Sequence, residues 1–352
     1  ALKAQNIGSG SGNNTAVGSN AGLSVTTGES NTLIGGLAGD ALTASSNNVA
    51  VGTNALTADT LGARSVAIGS ATLANQNFTT ATDAYNVAVG TLAGNSVTVG
   101  TINTLIGGLA GDAITTGDSN VAVGYVALSA DTQGDRSVAI GAGSLKTQNF
   151  TTATSAYNIG IGYDAGASVT TGIQNTIVGG LAGDAITTGD SNVAVGHNSL
   201  GANTTGESNT AVGSSALKAN TTANNNTAVG QSALFTNTTG TENTALGLNT
   251  LYATTTGNTN TGLGSQALTS VTEGDNNTAV GRAAGLNVST GSNNLLLGID
   301  AGRSGSPGGI VSTHSNIIVL GDERITSFNC QVSLSAASDE RDKTDFVDLD
   351  LG

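Results

Sequence analysis

Asn14-Thr15-Ala16-Val17-Gly18-Ser19-Asn20-Ala21-Gly22-Leu23-Ser24-Val25-Thr26-Thr27-Gly28-Glu29-Ser30 is one complete unit of a pattern that runs along almost the whole chain. The unit restarts at Asn31 and Asn48, and its fifth residue recurs as Gly18, Gly35, Gly52 and onward to Gly298. The step is 17 residues everywhere except before Gly90 and Gly162, where it is 21. A fixed period of this kind marks a solenoid, in which each repeat is one coil stacked on the last.

Seventeen coils share a positional grammar. The first place is Asn in fifteen of them and Ser in two, Ser65 and Ser137. The fourth is always aliphatic, as in Val17, Ile34 and Val51, and the fifth is always Gly. The eighth is small (Ala21, Ala38, Thr72), the ninth mostly Leu or Gly (Leu56, Gly22), and Thr-Thr-Gly or a variant closes the coil. The first five places alternate, which is strand behaviour. Thr15 and Val17 form a β-branched face; Asn14, Ala16 and Gly18 form a small one. Gly18 and Gly28 are the natural corners, because glycine tolerates positive φ. Coils pairing in parallel at ~4.8 Å each give a rod of about 80 Å. Equivalent residues then stack in columns, so the asparagines can form an amide ladder and the threonines a hydroxyl ladder.

Composition fits a narrow interior. Gly is 52 of 352 residues, but there is one Pro and no glycine at every third place, which excludes collagen. Only five Phe and five Tyr are present, so a wide core has nothing bulky to fill it. A coil this narrow buries two or three aliphatic residues, and its small face invites another backbone to approach. The expectation is an all-β parallel β-solenoid or β-roll whose chains associate as an intertwined homotrimeric fibre.

The net charge of −14, with ten Lys and Arg dispersed along the chain, argues against nucleic acid and against anionic membranes as partners. No apolar run reaches the 18 residues of a membrane-spanning helix, so no membrane insertion is expected. One cysteine, Cys330, rules out an intrachain disulfide framework. The chain begins at Ala1 without a methionine or signal-peptide pattern, which suggests a portion of a longer protein.

A second period overlies the first: three coils of 17 and one of 21 make 72 residues, from Gly18 to Gly90 and again to Gly162. The longer coils share Gln76-Asn77-Phe78-Thr79-Thr80-Ala81-Thr82 and Gln148-Asn149-Phe150-Thr151-Thr152-Ala153-Thr154. Four extra residues on a rigid scaffold predict an outward loop, with Phe78, Tyr85, Phe150 and Tyr157 as candidate surface-binding residues. No cofactor motif is visible, and no metal site is expected. The Gly35–Asp40 stretch and its copies at 107–112 and 179–184 carry Ala where a calcium-binding nonapeptide has Gly, and they are not in nine-residue tandem. His197 and His314 stand alone. Paired carboxylates for glycoside cleavage are not evident in the columns, although distant residues can meet across chains.

The Asn-Thr-Ala-Val-Gly strands, and Ser65 to Gly69 with Ser137 to Gly141, resemble the head repeats of trimeric autotransporter adhesins over about residues 13–302. The resemblance implies a parallel β-roll of three chains around one axis, though the 17-residue step is longer than the repeat common in those heads. Toward the C-terminus, Ile317-Ile318-Val319-Leu320-Gly321 is the last ladder-like strand, within a cap or neck of residues 303–337. Ser338-Asp339-Glu340-Arg341-Asp342-Lys343 is similar to the opening of the endosialidase-type intramolecular chaperone of phage tail fibres and tailspikes, so residues 338–352 read as a truncated chaperone start. That resemblance implies a single self-cleavage. Ser338 can supply the nucleophile and a neutral Lys343 the base, next to Asp339. No other enzyme constellation is evident. The expectation is therefore a structural and host-surface-binding fibre segment of a virion tail, extracellular. Its partners would be two further copies, other tail proteins and a host cell-surface glycan or protein. The alternatives are a bacterial surface adhesin head and a passive or ice-binding filament, the latter suggested by the Thr-Thr columns.

Overall fold

A computed structural model describes residues 1–4, 12–306 and 308–327. Eighteen strands of three residues each, from Thr15–Val17 to Ile318–Leu320, stack in parallel into one sheet along the rod. Pairing keeps the repeat in register: Thr210, Ala211 and Val212 lie opposite Thr227, Ala228 and Val229. Register survives the 21-residue coils, where Val66 pairs with Val87 and Val138 with Ile159. It also survives a 23-residue excursion before the last strand, where Leu295 pairs with Ile318. Each 17-residue coil contributes one strand; its other walls are extended and turning segments tied rung to rung, as by the Leu217 N–H donating to the Ala233 carbonyl at 3.0 Å.

The two strand faces lie opposite to the way the sequence suggested. The small face points into the coil: Ala211, Ala228 and Ala245 are fully buried, together with the asparagines before them. The β-branched face points out, and Val17, Ile34, Ile68, Ile106, Ile161 and Leu246 are exposed. The backbone that approaches the small face is the opposite wall of the same coil. Seventeen residues enclose too little space for branched chains on the strand and a leucine across from it. Most rungs close their own core with Ala at the third and eighth places and a large aliphatic residue across from them, while Leu33, Leu105, Ile177 and Leu296 take the third place where the ninth is Gly. Where the third place is Ala and the ninth Gly, neighbouring rungs fill the gap: a Cβ on Gly94 would lie 2.6 Å from Leu105 Cδ1 and 2.9 Å from Leu73 Cδ2.

The asparagine column is satisfied mainly by backbone. Asn209 donates Nδ2 to the Ala223 carbonyl at 2.8 Å, closing its own coil, and its Oδ1 accepts the Asn226 N–H at 3.0 Å from the next rung. The amide ladder is a secondary contact, with Asn226 Nδ2 donating to the same Oδ1 at 3.3 Å. Threonine hydroxyls donate to the next rung's carbonyl rather than to one another, as Thr43 Oγ1 does to Thr60 at 3.0 Å. Every ladder glycine has φ above +100°, but closing glycines such as Gly257 do not lie in the left-handed region. There the backbones pass too close for a side chain: a Cβ on Gly257 would sit 2.5 Å from the Gly274 oxygen. The left-handed corner falls instead on the residue before the first place of each coil, including Arg64, Tyr85, Ile102 and Tyr157 with φ of 62°, 51°, 60° and 51°. It is held by a cross-rung bond, as from the Ile102 N–H to the Ala84 carbonyl at 2.8 Å.

Candidate functional site

The two longer coils depart from the plain rod, and a buried carboxylate shapes each of them. Asp59 occupies the twelfth place of its coil, where Val25 and Leu42 stand in the coils before it, and it is fully buried. Asp59 Oδ1 accepts the N–H of Gly62 at 2.9 Å and of Phe78 at 3.2 Å, while Oδ2 accepts Gln76 Nε2 at 2.6 Å. Gln76 in turn reaches Ser65 Oγ at 3.1 Å and accepts Asn86 Nδ2 at 2.9 Å. The second copy repeats the relay through Asp131, Gln148, Ser137 and Asn158. Burial pushes both carboxyls above the ordinary Asp range, against the opposing pull of the Gln and backbone donors.

This relay anchors the loop. Phe78 and Phe150 are turned inward, 5% and 6% exposed, so they plug the wider coil and present no surface. Residues 79–81 are exposed beyond them. The chain then returns as Thr82–Asp83, pairing in parallel with Gly62–Ala63, and the second copy does the same with Thr154–Ser155 and Gly134–Asp135. The exposed aromatic of each loop is its tyrosine. Tyr85 is 50% exposed, with the Arg64 guanidinium 5.6 Å from its ring centre and Arg64 Nε donating to Asp83 Oδ1 at 2.9 Å. Tyr157 is 53% exposed under Arg136, which also bonds Ser155. A cleft of about 380 Å³ lies beside the first copy, bordered by Ser46, Asn47, Arg64, Thr82 and Asp83. The copies stand four rungs apart, about 19 Å along one side of the rod.

Thus Tyr85 and Tyr157 come to the surface beside an arginine, while Phe78 and Phe150 do not join them. The buried Asp–Gln relay was missed from sequence. Its signal was present: Asp59 and Gln76, like Asp131 and Gln148, are one repeat apart in a column whose flanking members, from Val25 and Leu42 to Val97, Ile114, Val169 and Ile186, are aliphatic. The cleavage pair Ser338 and Lys343, with Asp339, lies outside the described residues. Among the described residues, no group of three His, Cys, Asp or Glu is placed to hold a metal ion, and no helix is long and apolar enough to cross a membrane. No known family model matches the sequence, and comparison with curated proteins gives no match.

Proposed function

We propose that the chain is a rigid segment of a phage tail appendage, three copies wound in parallel, which extends the fibre and presents binding loops to a host surface. The outward β-branched face carries this reading. It is a stripe one strand wide and eighteen rungs long, aliphatic at the fourth place of every rung and Thr or aliphatic at the second, exposed or half-buried along the single chain. A stripe of about 80 Å by roughly 10 Å approaches the ~800 Å² that each partner contributes to a standard specific interface. Its regular rung spacing is matched by a surface with the same spacing, which another copy of the chain supplies. Parallel copies leave the loops at Tyr85 and Tyr157 repeated around the fibre, where weak contacts with a host glycan or protein add through multivalency.

A bacterial adhesin head would share this rod. The Ser338-to-Lys343 string favours the phage appendage, and it supplies the test. The chain is produced with its natural downstream sequence and analysed by mass spectrometry. The expected result is one cut beside Ser338, abolished in Ser338→Ala. A product that stays whole in both overturns the chaperone junction and leaves the adhesin head.

A further inference from the structure

The sixth place of the repeat holds small or polar residues in most coils, but three rings stand there in sequence. Tyr125, Tyr163 and His197 occupy alternate rungs, separated by Ala142 and Gly180. Tyr125 and Tyr163 are the two most exposed aromatic residues described, at 62% and 63%. His197 is exposed as well. The small residues leave the rings uncovered: a Cβ on Gly108 would meet Tyr125 Cδ2 at 3.6 Å, and one on Gly180 would meet His197 Cδ2 at 4.0 Å. Each of these two rings therefore reaches back along the rod over a glycine of the preceding rung. In-register pairing fixes the interval between rings at two rungs, about 10 Å.

We propose that Tyr125, Tyr163 and His197 form a linear platform for an extended, uncharged, β-linked polysaccharide, a site separate from the loops at Tyr85 and Tyr157. In such a glycan alternate sugars present the same face, and the two-residue repeat corresponds to the spacing of the rings. The apolar faces of sugar rings stack on aromatic rings, and the tyrosine hydroxyl keeps an edge for hydrogen bonding. Charge selects the class. The chain carries −14, Lys146 is paired at 2.9 Å with the Asp164 that follows Tyr163, and Lys218, one rung beyond His197, lies over the Phe235 ring at 5.5 Å. An acidic polymer would meet net repulsion from a chain of this charge. This proposal rests on the host-surface reading above and specifies the glycan that such a fibre would hold.

The test is native affinity electrophoresis of the full chain in hydroxyethyl cellulose, with dextran and alginate as α-linked and acidic comparisons, followed by titration with chitohexaose. Retardation in hydroxyethyl cellulose alone is expected. Tyr163→Ala should weaken chitohexaose binding by about threefold to tenfold. Tyr125→Ala/Tyr163→Ala should abolish retardation at unchanged native mass. Equal mobility of wild type in all gels overturns the platform, as does retardation that persists in the double variant. A double variant of lower native mass also overturns it, because the rings would then hold copies together. Neither variant alters Ser338, so the fibre reading fails or survives separately, by the cut there.

Discussion

Two neighbouring regions of the rod fill the same column in opposite ways. In coils 192–259 the twelfth place is polar: Asn203, Asn220, Asn237 and Thr254, all fully buried. In coils 260–311 the column continues as Val271, Val288 and Val311, equally buried. The strand register does not change across the boundary. The backbone path therefore does not depend on an oily interior at this place, provided most of the buried polar groups find a partner. Asn220 meets that condition by donating Nδ2 to Asn203 Oδ1 at 2.9 Å and to the Ala223 carbonyl at 3.1 Å, and Asn237 donates to Asn220 at 3.1 Å. The stack fails at its last member. Above Asn237 stands Thr254, and both Asn237 Oδ1 and Thr254 Oγ1 are buried without a partner.

One amide placed among the valines has the largest expected effect. Val288→Asn would sit between Val271 and Val311, with no amide on either side to accept or donate. A loss of about 2–3 kcal/mol is expected in chemical denaturation, and a loss below ~0.5 kcal/mol would mean that the column tolerates lone polar groups. The reverse exchange is smaller. Asn220→Val leaves Asn203 Oδ1 without its donor and should cost about 1–2 kcal/mol, whereas replacing Asn203, Asn220 and Asn237 together by Val should cost less than the single change. Additive losses would contradict the stack. Smaller still, Thr254→Asn should stabilise by about 1 kcal/mol, because its Nδ2 can reach Asn237 Oδ1. A destabilised variant would show that the unpaired oxygen carries no cost.

The Asp–Gln relays are a third filling of the same column, and pH probes them. Burial raises the folded-state pKa of Asp59 and Asp131 above the unfolded value, so the folded chain holds these protons more tightly. Their contribution favours the fold below the ordinary Asp pKa of about 3.9, and is lost as pH rises from there through the raised folded value. Asp59→Asn/Asp131→Asn should therefore lose less stability than wild type across that window, followed by thermal unfolding at several pH values. Parallel curves would remove the buried carboxylates from the account.

The rod itself was legible in the sequence because the glycine ladder reports the rung spacing directly, down to the last strand at Ile318–Leu320. Which face lies inside was not, because hydropathy favours Val and Ile over Ala and Asn for a core. The deciding quantity is the area a 17-residue loop can enclose, which appears only when both walls are placed. The left-handed corners at Ile102 and Tyr85 were hidden for a related reason. Cross-rung hydrogen bonds hold them there despite side chains that resist positive φ. At the loops, Phe78 and Tyr85 looked equivalent as sequence, and the Asp59 relay separated them by drawing Phe78 inward.

Each chain closes its own core, and the proposed fibre covers the branched face with other copies. Native mass by light scattering tests it most directly, on wild type and on Val212→Lys, an outer-face change that leaves the inner Ala211 untouched. The expected masses are about 102 kDa for wild type, three times the 34.1 kDa of one chain, and 34.1 kDa with an unchanged β-sheet circular dichroism spectrum for the variant. A wild-type mass of 34.1 kDa, or a variant that remains trimeric, would contradict it.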